Sequence, residues 1–266
     1  MKALKRFRAP ARVRLRDADA APPPDQNKAV EQEQAAELIR QIALMQEMLY
    51  ATRQHKVLLI LQGMDTAGKD GTIDALFSTV SPMGLRAVGF KQPSEAELAH
   101  DYLWRVHGQV PAKGEIVIFN RSHYEDVLVT RVHGLVDAKE CKRRYAQIRD
   151  FERMLVETGT VIVKLFLHIS KEEQRRRLQA RLDDPLKQWK FHPGDLAERK
   201  LWADYQDVYE RAIGETDCDA APWYIVPADS KTHRNLAVAS ILHATLRALK
   251  LRFPPAEPGL SAQKII

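Results

Sequence analysis

The chain reads as an α/β protein, a three-layer α/β/α sandwich around a five-stranded parallel sheet, and three observations predict it. Strand-like runs at Val57–Leu61, Arg86–Phe90, Glu115–Phe119, Thr160–His168 and Trp223–Val226 alternate with helical stretches, the pattern of right-handed crossovers. Ile116-Val117-Ile118-Phe119 and Val161-Ile162-Val163 are unbroken apolar runs, as expected of parallel strands covered on both faces. The first strand runs straight into Gly63-Met64-Asp65-Thr66-Ala67-Gly68-Lys69-Asp70-Gly71, a Gly-rich turn that opens a helix onto an anion.

In chain order, residues 1–25 are expected to form a basic, Pro-rich arm, 26–253 a single domain and 254–266 a surface tail. The first sixteen residues are Arg/Lys-rich and free of acids, with a faint likeness to an organelle transit peptide. Ala20-Ala21-Pro22-Pro23-Pro24 then reads as a stiff spacer, which favours a basic arm lying on the surface. Leu38, Ile42, Met45 and Leu49 recur at helical spacing and predict an amphipathic helix over about 26–54. After the second strand, Lys91 precedes Pro93-Ser94-Glu95-Ala96-Glu97-Leu98, a helix start with Ser94 as cap and Glu97 completing a capping box. The third strand ends in Asn120-Arg121-Ser122-His123-Tyr124-Glu125-Asp126, where Ser122 and Glu125 again have box spacing. Lys171 to Leu182 continues the fourth strand as a basic helix, with Arg177 and Arg181 stacked on one face. It runs into the polar segment Asp183–Phe191, and together these suggest a lid over about 171–200. Asp204, Asp207 and Glu210 are expected on the solvated side of a later helix.

Composition removes several classes. At 266 residues and 45% hydrophobic the chain can bury one sizeable core. Cys141 and Cys218 offer neither a metal spacing nor a disulfide framework, which fits a reducing cytoplasm. No apolar run approaches the roughly 20 residues that span a bilayer, and no signal-peptide core is visible, so no membrane partner is expected. The net charge of +6 points to an anionic partner. His100, His107, His123, His133, Trp104 and Trp202 lack ligand spacing and are expected to pack or to lie on the surface.

The chemistry sits at the strand ends, where ligands bind in doubly wound sheets. Gly63, four residues, Gly68 and Lys69 match the nucleotide P-loop, in which backbone N–H groups of Thr66, Ala67, Gly68, Asp70 and Gly71 surround phosphates and the lysine reaches the outer ones. The Ser or Thr that usually follows the lysine and holds Mg²⁺ is replaced by Asp70. Asp65 lies inside the loop, where a carboxylate beside phosphate is repulsive unless it binds a metal or a proton. Arg121 can fork onto phosphate oxygens. Asn120 takes the slot in which P-loop enzymes usually carry a Mg²⁺-binding acid, and Glu125 and Asp126 follow one turn later. Lys91 could face the same cleft or solvent.

Together, the loop with its internal Asp65, the Asn120–Asp126 block and the Arg-rich lid ending in Asp183-Asp184-Pro185-Leu186-Lys187-Gln188-Trp189-Lys190-Phe191 resemble the polyphosphate kinase 2 family over roughly Lys56 to Lys250. The resemblance implies a thymidylate-kinase-like P-loop fold and phosphoryl transfer between inorganic polyphosphate and nucleoside mono- or diphosphates. It also implies Mg²⁺, with Mn²⁺ as a substitute, and a homo-oligomer, commonly a tetramer built as a dimer of dimers. By residue it makes Asp65 a metal or acceptor-phosphate contact, Lys69 a contact to the transferring phosphate and Arg121 a clamp. Arg177 and Arg181 become lid charges and Asn120 a nucleotide neighbour. Many members begin the second block with Asp and carry Asn-Arg where this chain has Glu125-Asp126. That version resembles the class III branch, which accepts AMP and ADP, and shifts the expected metal role from position 120 to Glu125 or Asp126. The alternative is an ATP-dependent small-molecule or nucleoside kinase on the same fold. A guanine-reading Asn-Lys-x-Asp motif is missing, which speaks against a P-loop switch. The basic residues lack aromatic interleaving, which speaks against nucleic acid.

Overall fold

Five parallel strands, in the order β2-β3-β1-β4-β5, form the centre of the computed structural model, which describes residues 2–258. They are β1 (Lys56–Gln62), β2 (Leu85–Gly89), β3 (Ile116–Asn120), β4 (Thr160–His168) and β5 (Trp223–Pro227). Each matches a run expected from the sequence to within about two residues. β1 is the middle strand: Leu59 lies between Ile118 of β3 and Val163 of β4, and all three are fully or almost fully buried. The edge strand β2 is half-exposed, which is why its sequence is less uniformly apolar.

Among the described residues, eleven α-helical segments surround the sheet: α1 (Lys2–Phe7), α2 (Lys28–Thr52), α3 (Lys69–Phe77), α4 (Glu95–Leu98), α5 (Trp104–His107), α6 (Val129–Val132), α7 (Ala138–Glu157), α8 (Lys171–Asp183), α9 (Gly194–Lys200), α10 (Trp202–Thr216) and α11 (Lys231–Ala248). Side-chain caps from Asn27, Ser94, Asp137, Ser170 and Ser230 start α2, α4, α7, α8 and α11. Helix α11 packs on α2, α3 and strands β4 and β5, while α7 packs on β4 and against α10. From β1 the chain winds to one side through β2 and β3, then crosses to the other for β4 and β5. The carboxyl end of β1 is therefore where strand order reverses, the usual place for a ligand.

Two local expectations change. The Ser94–Glu97 capping box is present, but the one at Ser122–Glu125 is not. Ser122 Oγ accepts from Tyr124 N at 3.2 Å, and the Glu125 carboxylate turns to Arg121 instead. Residues His123–Asp126 make a single 3₁₀ turn rather than an α-helix. Glu210, expected in solvent, accepts from Leu15 N at 2.7 Å and Arg14 at 2.9 Å.

That second contact belongs to the arm, which is knitted into the domain. Ala9 N donates to Trp223 O at 2.9 Å beside β5, and Arg8 pairs with Asp217 at 2.8 Å. Beyond it, Val13 and Leu15 are buried while Arg12, Arg14 and Arg16 face out, a period of two that lays an extended chain on an apolar seam. At the other end, residues 254–258 are exposed, and the rest of the expected tail lies outside the described residues. Among the described residues, no helix is long and apolar enough to cross a membrane.

Candidate functional site

Gly63 and Gly68 let the loop after β1 take its shape. A Cβ on Gly63 would stand 2.7 Å from Leu167 O, so only glycine lets the loop pass that close to β4. Gly68 has φ +99°, and a Cβ there would meet Arg234 Nη1 at 1.9 Å. Between them Thr66 is held at φ +64°, unfavourable for a β-branched residue, with its hydroxyl buried and unpartnered. Lys69, the first residue of α3, folds back and donates to Gly63 O at 2.8 Å. Burial and the neighbouring Arg121 bring its pKa down to about 8, against the pull of Asp65, Glu125 and Asp70.

The loop acid meets the block after β3. Arg121, at φ +66°, donates to Asp65 Oδ1 at 2.6 Å and to Glu125 Oε2 at 3.1 Å, so one guanidinium bridges two carboxylates. Burial alone would raise the Asp65 pKa, but Lys69, Arg121 and Arg181 hold it below the ordinary value. Burial would weaken the Arg121 proton too, and Glu125 and Asp65 more than offset it. Gln174 of α8 anchors the loop from above through Asp65 O at 3.1 Å. Asn120 donates to Asp70 Oδ1 at 2.6 Å, tying the third strand to the position where a Ser or Thr is usual.

Asp126 does not join this group. It faces Arg105 and Arg144, each 3.9 Å away, and burial raises its pKa against their opposition. Successive residues of a 3₁₀ turn point about 120° apart, so Glu125 and Asp126 cannot face one ligand together. Of the two acids expected as alternatives for a metal, Glu125 therefore meets Asp65 through Arg121, while Asp126 turns to Arg105 and Arg144. Lys91 is exposed at the end of β2, on the β3 side, with its carbonyl accepting from Arg105 at 2.8 Å.

The lid arginines divide. Arg181 donates to Lys190 O at 3.1 Å and stays partly exposed within electrostatic reach of Asp65. Arg177, expected as a free lid charge, braces the loop instead. Its Nε donates to Glu173 at 2.8 Å, Nη1 to Thr66 O at 2.9 Å and Nη2 to Ala228 O at 2.6 Å. The middle of α8 thus ties the loop to the end of β5.

Beneath the site lies a buried polar cluster. Lys164 of β4 donates to Glu152 at 2.6 Å, Thr216 O at 2.8 Å and Tyr124 Oη at 3.1 Å. Tyr124 donates to Glu152 at 2.8 Å, and His123 Nε2 stands 3.4 Å from the same carboxylate. These contacts fix residues 123 and 124, and through them Arg121 and Glu125.

A cavity of about 30 Å³ opens among Asp65, Arg121 and Glu125, with Glu198, Tyr205 and Tyr209 on its far side. That is room for an ion or a water molecule. Glu125 Oε1 is buried and unpartnered, an acceptor aimed at nothing in the protein. Mg²⁺ is commonly held by one or two carboxylates together with substrate phosphates, so Asp65 and Glu125 fit it although no three-acid cluster exists among the described residues.

The sequence reading missed Arg234, Gln174, Glu198, Tyr205 and Tyr209. Arg234 alone had a usable signal, because it opens the helix that follows the fifth strand. The others come from helical residues that only the tertiary fold brings over the loop.

The polyphosphate kinase 2 (PPK2) family model matches residues 25–254. A curated relative from Meiothermus ruber, an AMP/ADP-polyphosphate phosphotransferase, is 56% identical over 88% of this chain and 87% of its own. An ADP-polyphosphate phosphotransferase from Rhodopseudomonas palustris is 44% identical over 83% and 81%. Among solved structures, polyphosphate kinase 2 from Arthrobacter aurescens TC1 superposes with TM-score 0.94 at 44% identity, covering 98% of this chain and 94% of that one.

Proposed function

We propose an activity from one premise: the chain belongs to the polyphosphate kinase 2 family. It moves the terminal phosphoryl group of inorganic polyphosphate onto AMP and ADP, reversibly, giving ADP and ATP. The observation that carries this reading is the 56% identity to an AMP/ADP-polyphosphate phosphotransferase across 88% of the chain, with Asp65, Lys69, Arg121 and Glu125 gathered at one loop. The Glu125-Asp126 pair of the class III branch supports use of both acceptors.

A phosphate oxygen of the acceptor attacks the terminal phosphorus of the chain. The bond from that phosphorus to the oxygen bridging it to the penultimate phosphorus breaks, and polyphosphate, keeping that oxygen, leaves one unit shorter. Such transfers need positioning and charge neutralisation more than covalent chemistry. Backbone N–H groups from Gly68 to Gly71, at the start of α3, receive the donor phosphates, and Lys69 meets the transferring group. Arg121 lies where it can exchange a carboxylate for a phosphate, keeping its two-pronged geometry. Asp65 and Glu125 would hold Mg²⁺, which when bound neutralises charge on the donor and acceptor oxygens. Arg181 closes from the lid, while Lys91 stands farther out as a contact for a long chain. We also assign the protein to the cytoplasm, which its free Cys141 and Cys218 support, and to a homo-oligomer, a dimer of dimers. Light scattering checks the assembly.

The deciding experiment combines the protein with Mg²⁺, long-chain polyphosphate and AMP or ADP, and assays ATP. ATP from both acceptors is expected. No ATP from either, with ATP consumed against a small acceptor, would move the function to a nucleoside or small-molecule kinase.

A further inference from the structure

Arg234 is a buried cation without an anion. It stands in the first turn of α11, only 3% exposed, with its guanidinium lying against the phosphate loop. Nε and Nη2 donate to Asn235 Oδ1 at 3.1 and 2.8 Å, and Nη1 points at Ala67 O at 3.4 Å. Among the described residues, no carboxylate lies within ion-pair distance of it. Its surroundings are positive. Arg177 Nη1 lies 3.6 Å from the point a Gly68 Cβ would occupy, the place that Arg234 itself fills. Lys69 and the positive end of α3 follow immediately. Glu173, the carboxylate that pairs with Arg177, is shared with Arg176.

A buried charge among like charges is unfavourable, because desolvation is not repaid by a partner. Burial and Arg177 accordingly bring the Arg234 pKa down to about 10. A chain selected for stability alone would place a neutral side chain here. What balances the cluster is an anion in the loop it surrounds. We propose that Arg234 is a positioning residue for the donor: a positive charge stored behind the phosphate loop, unfavourable to the empty protein and balanced when a polyphosphate chain occupies the loop. This deepens the proposed function, and it requires Gly68 for a second reason besides its backbone angle, since any larger residue would displace the guanidinium.

The test compares Arg234→Met with Arg234→Lys by thermal unfolding and by titration with sodium tripolyphosphate and MgATP. The expected result for Arg234→Met is a melting temperature without ligand equal to or above that of the parent, with tripolyphosphate affinity down about tenfold and a shallower salt dependence. Arg234→Lys, which keeps the charge, should hold affinity within about threefold of the parent. Equal affinities for the Met and Lys variants overturn the proposal. So does a fall in melting temperature for Arg234→Met with affinity unchanged, because that is a purely structural arginine. If Arg234→Met does not fold, Arg234→Gln takes its place. Failure of both uncharged variants to fold shows that the guanidinium holds the fold by itself, which also overturns the proposal. A parent protein that binds MgATP but not tripolyphosphate would defeat the polyphosphate reading, and Arg234 would then be judged on MgATP.

Discussion

Two ionic clusters lie one above the other in this chain, built from similar parts to different ends. In the lower one, Lys164 meets Glu152, Tyr124 and Thr216, and all four residues are almost fully buried. All of its cation's donors have acceptors, and Glu152 stays ionised because Lys164 and His123 outweigh its burial. In the upper one, Arg121 bridges Asp65 and Glu125 at the open carboxyl end of the sheet. Here one carboxylate oxygen, Glu125 Oε1, and one hydroxyl, Thr66 Oγ1, are buried without partners. The lower cluster satisfies Lys164 and Glu152 and leaves only His123 Nδ1, at its edge, without a partner, whereas the upper one has an acceptor and a hydroxyl left over beside the loop itself. Completeness of hydrogen bonding, more than residue type, separates a structural ion cluster from a site.

The sharpest way to break that contrast is to remove one cation from each. Lys164→Met leaves Glu152 charged and buried, which should cost about 3–5 kcal/mol in urea unfolding. Combining it with Glu152→Leu should recover much of the loss, since replacing both partners is often near neutral. Arg121→Met should cost about 1 kcal/mol or less, because that pair is partly solvated, yet it should depress ATP formation far more than any stability change explains. Large stability losses at both positions would show that Arg121 is a structural residue like Lys164.

Lys69→Ala comes next in size. Losing one donor to charge developing in the transition state typically costs about 10²–10³ in turnover. Its melting temperature should barely move, because Lys69 bonds only backbone carbonyls of the loop. Turnover near that of the parent would make the loop a mere turn.

The two clusters also differ in how far the sequence shows them. The strands, the loop, Lys69, Asp65 and Arg121 were all legible, because unbroken apolar runs and glycine spacing are local signals. Lys164 was not: it interrupts the apolar run of β4, and its partners lie 12, 40 and 52 residues away in sequence. Which of Glu125 and Asp126 meets Asp65 was not legible, because box spacing at Ser122 and Glu125 suggested a capped helix, whose geometry differs from that of the 3₁₀ turn formed. Arg177 read as a free lid charge because its acceptors are carbonyls of the loop and of the β5 end, which no spacing reveals. The arm's period of two over Val13 and Leu15 is a weak local signal, because only two apolar residues carry it between Arg12, Arg14 and Arg16.

The Asp126 placement yields a smaller, comparative effect. Glu125→Asn should raise the Mg²⁺ needed for half-maximal rate and cost AMP phosphorylation more than ADP phosphorylation, by roughly tenfold, since AMP brings its only phosphate to the point of attack. Asp126→Asn should lower both activities together, by a few-fold at most, through the Arg105 and Arg144 contacts. A selective AMP defect at Asp126 with none at Glu125 would reverse the assignment.

The smallest effect separates the upper cluster's stability from its activity by pH. Lys69 titrates at about 8 in the folded chain, against 10.5 for an ordinary lysine. Between those values the unfolded chain holds a proton that the folded chain has released. Stability contributed by this residue therefore rises with pH across the window. Activity should move the opposite way, because the neutral amine no longer meets phosphate charge. kcat/KM for polyphosphate should fall above about pH 8, while kcat falls at higher pH, since bound phosphate stabilises the ammonium form. Asp65, Glu125, Asp70 and Arg121 all face Lys69, so the control is a difference measurement. The stability of the parent minus that of Lys69→Met should grow from pH 7.5 to pH 10 in urea titrations. A flat difference would mean that Lys69 keeps an ordinary pKa, and the falling limb of kcat/KM would then belong to another group.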